Sequence, residues 1–221
     1  MFDPNDENNQ KVWAAGVTYT RSQSARIVES DFGALAYNYI YDAERPHIFF
    51  KSLAEKVVPT GNAIGIRKDS NWNVPEPELA FVIYKTKIIG YTIGNDVSSR
   101  SIEGENPLYL PQAKLYDNSC AIGPCFATTE TLSNPQALAI ECSIYRQGDE
   151  LFKGKTSTSG MNRTCDDLSD WLQRHNTVPN MTTVLTGTAI VPPPEISLSE
   201  GDVVSIMIED IGLLENPVLA V

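Results

Sequence analysis

Two prolines bracket a pair of glutamates at residues 75–78, Pro-Glu-Pro-Glu, and this arrangement strongly constrains the fold of the 221-residue chain. Proline has no backbone N–H to donate to a sheet, so Glu76 and Glu78 must lie at the start or the edge of a strand. Side chains two residues apart on a strand point to the same face. The apolar run 79–84 that follows predicts a core strand. Both carboxylates are therefore expected to project together beside a buried strand.

A third carboxylate follows the next apolar run. Residues 88–93 predict a second core strand, and residues 94–96 predict the turn that ends it, which contains Asp96. If Asp96 meets Glu76 and Glu78, three like charges converge, and they repel one another unless a cation holds them. Oxygen ligands favour a hard divalent cation, so the sequence predicts a site for Mg²⁺, with Mn²⁺ or Ca²⁺ as alternatives. The ordinary alternative for a Glu-x-Glu pair is the solvated face of a strand.

The composition disfavours several classes of partner. With 17 basic and 28 acidic side chains, the chain carries a net charge of −11, which disfavours nucleic acid and anionic membranes. No apolar run approaches the ~20 residues of a membrane span, and residues 1–10 lack the features of a secretory signal. We expect residues 1–10 to form a flexible tail and residues 11–221 a single domain of a cytoplasmic protein. The cysteines are predicted to be buried free thiols of a reducing compartment rather than zinc ligands: Cys120, Cys125, Cys142 and Cys165.

Short strands dominate the remaining pattern. Residues 166–173 predict the clearest helix, capped by an aspartate and carrying an apolar stripe of Leu168, Trp171 and Leu172. Residues 20–46 are mixed and polar, and predict a helix-containing lid. Many short strands and few helices predict a mainly β domain. Besides the two core strands, the predicted strands are 11–19, 47–51, 63–67, 138–145, 150–153, 183–185 and 203–208, with turns at 56–59, 85–87 and 147–149.

Two lysines lie where they could meet the carboxylates. Lys51 ends the predicted strand 47–51, and Lys114 lies in a run with few charges. The ordinary alternative for each is a lysine that packs its stem on apolar surface and keeps its ammonium group in water.

Two further groups of polar residues also have structural alternatives. Ser98, Ser99 and Arg100 could form the cap and first turn of a helix. Gly187 and Thr188 could form an ordinary β-turn, although backbone N–H groups and a hydroxyl there would also suit a carboxylate.

Four segments together resemble the fumarylacetoacetate hydrolase superfamily. They are PEPELA at 75–80, GYTIGNDVSSR at 90–100, the run from NPLYLPQAK to SCAIGP at 106–124, and LTGT at 185–188. The resemblance extends over nearly the whole chain from about residue 12. It implies an α+β fold that is mainly β, a mixed β-roll with a few short helices. It also implies a homodimer or higher homo-oligomer that acts on a small 2-keto acid.

The resemblance implies specific roles for individual residues. The family's divalent-metal ligands, which bind Mg²⁺ or a related ion, match Glu76, Glu78 and Asp96. Its substrate-contacting lysines match Lys51 and Lys114. The arginine after the metal aspartate matches Arg100, and the carboxylate-binding Gly-Thr turn matches Gly187 and Thr188.

One departure from the family pattern bears on the reaction. Hydrolases and decarboxylases of the family carry a His-x-x-Glu pair in the lid, which activates water. The matching residues 26–29 read Arg-Ile-Val-Glu, so Glu29 is present and the histidine is not. His47 aligns instead with the strand that leads to Lys51. Dehydration needs no water nucleophile, and GENPLYLPQAK is most similar to the branch of 2-keto-3-deoxy-sugar-acid dehydratases of the D-arabinonate type.

These observations predict a metal-dependent lyase that dehydrates a 2-keto-3-deoxy sugar acid through a metal-stabilised enolate. Glu29 and Lys114 are the candidates for acid and base catalysis. One alternative is a hydrolase that cleaves the C–C bond of a 2,4-diketo acid. Another is a non-catalytic protein that binds a metal or keto acid. The sequence leaves open which sugar acid and which metal are used.

Overall fold

Strands form most of the structure, a computed structural model that describes residues 10–20 and 39–221. The predicted tail at 1–10 lies almost entirely outside the described residues. Most of the predicted lid at 20–46 also lies outside them, including Glu29.

The first eight strands are β1 Lys11–Gly16, β2 His47–Leu53, β3 Val57–Val58, β4 Ile64–Ile66, β5 Asn73–Val74, β6 Pro77–Tyr84, β7 Lys87–Asp96 and β8 Ser98–Ser99. The remaining strands are β9 Cys120–Ile122, β10 Ala127–Thr128, β11 Ala139–Arg146, β12 Asp149–Ser157, β13 Thr182–Leu185, β14 Val203–Ile208 and β15 Gly212–Ala220. The helices are α1 Arg100–Glu105, α2 Leu110–Lys114 and α3 Cys165–Gln173, with 3₁₀ turns at Ala54–Lys56, Pro107–Tyr109, Pro135–Ala137 and Thr158–Gly160.

These strands form two main sheets and confirm the predicted mainly β fold. The larger sheet has the order β2-β1-β13-β6-β7-β9-β3, with β10 added beside β7. The second sheet has the order β12-β11-β14-β15-β4, and β5 pairs with β8 in a separate ribbon. Parallel pairs (β1 with β13, β3 with β9, β4 with β15) occur among antiparallel ones, so both main sheets are mixed.

The two faces of β6 explain where a site can form. The strand is buried on both faces up to its last residue. Leu79, Phe81 and Ile83 belong to the main core, where β11 packs against β6 and where β14 and β15 pack against β7. Ala80 faces the other way, into a smaller cluster of Val12, Ala14, Ala80, Cys120 and Leu185. By strand parity, Glu76 and Glu78 continue the face of Ala80, away from the main core.

Three predicted turns or strands need correction. The turn predicted at 94–96 is wrong, because β7 continues through Asp96 and pairs there with β9. Residues 57–58 of the turn predicted at 56–59 form β3, which also pairs with β9. The long strand β15 was not predicted, because Pro217 lies inside it and interrupts the apolar pattern. Neighbours on both sides, β14 and β4, hold β15 in place.

Helix α3 begins one residue earlier than predicted and has a different cap. The Thr164 hydroxyl accepts the backbone N–H of Asp167 at 3.0 Å, so threonine rather than aspartate is the N-cap. The aspartates lie in the first turn, where the helix dipole favours negative charge. Leu168 and Leu172 are buried as predicted.

Three of the four cysteines are buried free thiols, as predicted. Cys125 is exposed, and the prediction is wrong for this residue. Burial raises the pKa of the Cys142 thiol to about 12, which keeps it protonated and chemically inert near neutral pH. Within residues 10–20 and 39–221, no helix is both long enough and apolar enough to cross a bilayer.

Candidate active site

Three carboxylates meet on the face of the larger sheet that turns away from the main core. Glu76, Glu78 and Asp96 are almost completely buried, and each offers one oxygen within 4.8 Å of the others. Pairing at the ends of β6 and β7 fixes their positions. The Asp96 N–H donates to the Glu76 carbonyl at 3.0 Å, and the Glu76 N–H donates to the Asn95 side-chain oxygen at 3.1 Å. The structure therefore brings together the residues that the sequence predicted to converge.

Three buried cations surround these carboxylates. The Lys51 ammonium lies 2.5 Å from Asp96 Oδ1. The Arg100 guanidinium lies 3.0 Å from Glu76 Oε1. The Lys114 ammonium lies 2.8 Å from Glu76 Oε2 and 2.9 Å from Asp96 Oδ2. Buried charges are costly unless they are paired, and each of these cations lies beside Glu76 or Asp96.

Glu78 differs from the other two carboxylates because no ion pair is found for it among the described cations. Burial, together with the negative charges of Asp96 and Glu76, raises the pKa of Glu78 well above its ordinary value. The positive charge of Lys114 and a hydrogen bond from the Gly187 N–H, at 2.6 Å, lower the pKa of Glu78. Desolvation is the largest cause, so the carboxyl holds its proton to a higher pH than a free one.

The turn after β13 holds Glu78 through its backbone. Gly187 has φ +90°, and a Cβ built on it would lie 2.2 Å from the Thr18 hydroxyl. Only glycine fits both the conformation and the space. The Thr18 hydroxyl donates to the Thr186 carbonyl at 2.6 Å and so ties the turn to the end of β1. Thr188 follows and lines the cavity described next.

A cavity opens beside the three carboxylates, which form part of its wall. Of the predicted site residues, Arg100, Lys114, Gly187 and Thr188 line it together with the carboxylates. Lys51 does not line it. The Lys51 ammonium lies behind Asp96 and donates to two carbonyls, of Val97 at 3.1 Å and of Lys114 at 2.5 Å.

The cavity wall also contains residues that the sequence analysis did not single out. His47, Phe49 and Glu103 line it. His47 and Phe49 could have been predicted from the sequence, because side chains alternate along a strand and residues 47, 49 and 51 then lie on one face of β2. Glu103 lies three residues after Arg100 on α1, so a helix beginning at Arg100 places both on one side.

Ser99 confirms the structural alternative given for this segment. Its hydroxyl accepts the Ile102 N–H at 3.3 Å and caps α1. Ser98 donates to the Asp96 carbonyl at 2.8 Å and accepts a hydrogen bond from Lys114 at 2.7 Å. Ser99 therefore stabilises the start of α1, and Ser98 stabilises the backbone at Asp96 and the position of Lys114.

The donor set fits a hard divalent ion. Three carboxylate oxygens within 4.8 Å of one another suit an ion whose bonds to oxygen are about 2.0–2.6 Å long. Oxygen ligands without nitrogen or sulfur select Mg²⁺, Mn²⁺ or Ca²⁺ over zinc or copper. Glu76, Glu78 and Asp96 could therefore hold the predicted metal.

Comparison with known proteins agrees with this geometry. Residues 11–219 match the fumarylacetoacetate (FAA) hydrolase C-terminal family. The chain is 51% identical over 212 residues to a probable 2-keto-3-deoxyxylonate dehydratase of Haloferax volcanii, covering 96% of this chain and 73% of the relative. It is 43% identical over 212 residues to the 2-dehydro-3-deoxy-D-arabinonate dehydratase of Saccharolobus solfataricus, covering 94% and 71%.

A solved structure extends the comparison to the fold. A 2-keto-3-deoxy-D-arabinonate dehydratase complexed with magnesium and 2,5-dioxopentanoate superposes with a TM-score of 0.89 at 42% identity. The match covers 97% of this chain and 74% of that one. The chain therefore belongs to the fumarylacetoacetate hydrolase C-terminal family.

Proposed function

We propose that the protein is a divalent-metal-dependent dehydratase of a 2-keto-3-deoxy sugar acid. The observation that carries the proposal is the buried cluster of Glu76, Glu78 and Asp96 in the wall of a cavity. Relatives that are 51% and 43% identical to it over 212 residues are named as dehydratases of such acids. The proposed catalytic domain comprises residues 11–221.

The residues of the cluster have separable roles in this proposal. Glu76, Glu78 and Asp96 would hold Mg²⁺, or Mn²⁺ or Ca²⁺ in its place. A bound ion would act as a Lewis acid on the keto oxygen of the substrate and so acidify C3. Arg100 and Thr188 line the cavity and are proposed to bind substrate oxygens.

Gly187 and Lys51 are given positioning roles. The Gly187 N–H orients Glu78, and its place in the cavity wall also leaves it available to a substrate carboxylate. The resemblance implies that Lys51 contacts substrate, but the ammonium is buried behind Asp96. We therefore assign Lys51 to the positioning of Asp96.

Dehydration requires a proton to leave C3 and a hydroxyl to leave C4. Glu29 and Lys114 are proposed for acid and base catalysis, as expected from the sequence. Lys114 lies in the cavity wall beside two of the proposed metal ligands, where its charge can stabilise negative charge on the substrate. Glu29 lies outside the described residues.

The test combines products with metal binding. Purified protein with Mg²⁺ is incubated with 2-keto-3-deoxy and 2,4-diketo acids, and the products are identified by mass. We expect loss of one water from a 2-keto-3-deoxy acid, whereas two shorter fragments would indicate a C–C hydrolase. Binding without turnover would indicate a non-catalytic protein.

A charge-removing variant tests the metal site itself. Glu76→Gln is expected to abolish Mg²⁺ binding, measured by calorimetry, together with turnover. Glu195→Gln changes an exposed glutamate in the same way and serves as the matched control. Tight Mg²⁺ binding by Glu76→Gln would refute the three-carboxylate site.

We further propose that the enzyme is cytoplasmic and a homodimer or higher homo-oligomer. The buried free thiols of Cys120, Cys142 and Cys165 support a reducing compartment. Light scattering of the purified protein would measure the oligomeric state.

A further inference from the structure

Strand β2 directs three side chains along one side of the site. His47, Phe49 and Lys51 alternate onto the same face of the strand. Lys51 forms the innermost contact, at 2.5 Å from Asp96. Next, the Phe49 ring lies 5.7 Å from the Lys114 ammonium. The His47 ring lies 5.2 Å from the Phe49 ring and is the outermost of the three.

His47 is therefore placed away from the carboxylates but still in the cavity wall. Two residues along a strand correspond to about 6.6 Å, so His47 is displaced from Phe49 by about that distance along β2. A 2-keto acid that directs its carboxylate and keto oxygen to the carboxylate cluster extends C3 and C4 away from it. In the proposal below, the C4 hydroxyl lies on the side of the cavity that His47 lines.

The other charged groups of the cavity wall are less suited to give a proton there. The ammonium group of Lys114 has three N–H donors, and they point to Glu76, Asp96 and Ser98 at 2.7–2.9 Å. Arg100 is paired with Glu76, and a guanidinium group serves as a hydrogen-bond donor rather than as an acid in proteins. Glu76, Glu78 and Asp96 are the proposed metal ligands, which leaves Glu103 as the remaining described candidate, and Glu103 is included in the test below. Histidine is the side chain whose unperturbed charge change falls closest to neutral pH.

We infer that His47 is the general acid that protonates the hydroxyl group leaving from C4. The inference rests on the proposed dehydration and leaves removal of the C3 proton to the residues proposed above for acid and base catalysis. A base removes the C3 proton, and the electron pair of that C–H bond forms the C3–C4 double bond. The C4–O bond breaks with its electron pair on oxygen, which takes the imidazolium proton and leaves as water. The neutral imidazole is then reprotonated from solvent.

The backbone beside His47 fixes the space available to the ring. Gly16 pairs with His47 in the β1–β2 ladder. A Cβ built on Gly16 would lie 2.7 Å from the His47 Nδ1 atom, so a methyl group there must displace the imidazole. Gly16→Ala therefore perturbs the same function without removing the histidine.

The experiment compares two leaving groups in the Mg²⁺-loaded enzyme. Fluoride leaves as an anion and needs no proton, whereas hydroxide does. We expect His47→Gln to lower kcat/KM about a hundredfold or more for the 4-hydroxy substrate, and by less than about threefold for its 4-fluoro analogue. Gly16→Ala should show the same selectivity to a smaller extent. His47→Asn is the second variant if the glutamine protein does not fold.

Controls separate this role from a general loss of the site. His175 lies at an exposed position after α3, and His175→Gln should leave both rates unchanged. Exchange of the C3 protons of 2-oxobutanoate with D₂O, followed by NMR, reports the first proton transfer without elimination. His47→Gln should retain this exchange. Glu103→Gln should not reproduce the selectivity for the hydroxyl substrate.

Three results would exclude His47 as the general acid. Equal losses with both leaving groups, or loss of C3 exchange, would show that His47 does not act as the leaving-group acid. Unchanged elimination of the hydroxyl substrate in His47→Gln would also overturn the inference. If the unmodified enzyme eliminates neither group, the proposed dehydratase function itself fails, which is a distinct result.

Discussion

Replacing Lys51 by methionine tests whether this lysine positions Asp96 or contacts substrate. Lys51 is 1% exposed, and its ammonium lies 2.5 Å from Asp96 Oδ1. Methionine keeps an unbranched apolar stem of similar length but removes the charge. Asp96 is then left buried without this partner, and the carbonyls of Val97 and Lys114 lose a donor.

The cost can be estimated from these contacts. Removing one partner of a buried ion pair destabilises a protein by about 3–5 kcal/mol. For a chain of this size, each kcal/mol lowers Tm by about 2–4 °C. Lys51→Met should therefore lower Tm by roughly 6–20 °C in the absence of metal. Added Mg²⁺ should reduce the difference in Tm between Lys51→Met and the unmodified protein, because a cation at the carboxylates offsets part of the lost positive charge.

The matched control is an exposed lysine with a similar ion pair. The Lys56 ammonium lies 2.8 Å from Asp117, but both side chains are largely exposed. Lys56→Met should leave Tm unchanged within error, since exposed pairs contribute little. The double variant Lys51→Met, Asp96→Asn should be more stable than Lys51→Met alone, because it removes the unpaired charge.

Thermal unfolding with and without Mg²⁺ measures these differences, and steady-state kinetics completes the assay. A Tm for Lys51→Met within about 2 °C of the unmodified protein would refute the reasoning. An increased KM for the keto acid with unchanged Tm and metal affinity would instead identify Lys51 as a substrate contact.

Two further predictions concern Glu78 and the turn that holds it. Because the pKa of Glu78 is raised mainly by burial, its contribution to the stability of the metal-free protein decreases as pH rises from the ordinary carboxyl range to the raised value. Mg²⁺ needs the carboxylate, so binding should release a proton and tighten over the same pH interval. Calorimetry in two buffers of different ionisation enthalpy measures the release, and Glu78→Gln should remove it. Gly187→Ala should lower both Tm and Mg²⁺ affinity more than Gly201→Ala, which has a similar positive φ of +89° but open space around it; equal effects would contradict the steric argument.

The sequence contains enough information to predict the carboxylate cluster. The i, i+2 spacing of Glu76 and Glu78 fixes their common side, and the prolines place them at the start of β6. Asp96 was expected in a turn and lies in β7 instead. It still meets the two glutamates, because β7 runs antiparallel to β6 and ends beside the start of β6. The spacing of the glutamates and the pairing of β6 with β7 lead to the same position for the cluster. The wrongly predicted turn at 94–96 therefore does not change the predicted site.

The partners of the cations could not be predicted in the same way. Whether Lys51 faces a substrate or Asp96 depends on how β2 lies relative to the end of β7, and the sheet places β1, β13 and β6 between these strands. His47 is likewise unremarkable in sequence and becomes a cavity residue only through its pairing with Gly16. These contacts join residues that are far apart in the sequence. Local sequence patterns report only on neighbouring residues and therefore do not predict them.

The charge balance of the cluster connects metal binding to substrate binding. With Glu78 protonated, Lys51, Arg100 and Lys114 exceed the carboxylates Glu76 and Asp96 by one positive charge. A dication that displaces the Glu78 proton adds one further positive charge to the buried site. The negative carboxylate of a bound 2-keto acid cancels this further charge. The net charge of the cluster is then the same as before the ion was bound. Because isolated charge is costly in a buried site, ion and keto acid should each favour the binding of the other, and the coupling must be equal in both directions. A cluster that has the same net charge before the ion binds and after both ion and keto acid have bound is therefore suited to hold the ion most tightly when an anionic substrate is present.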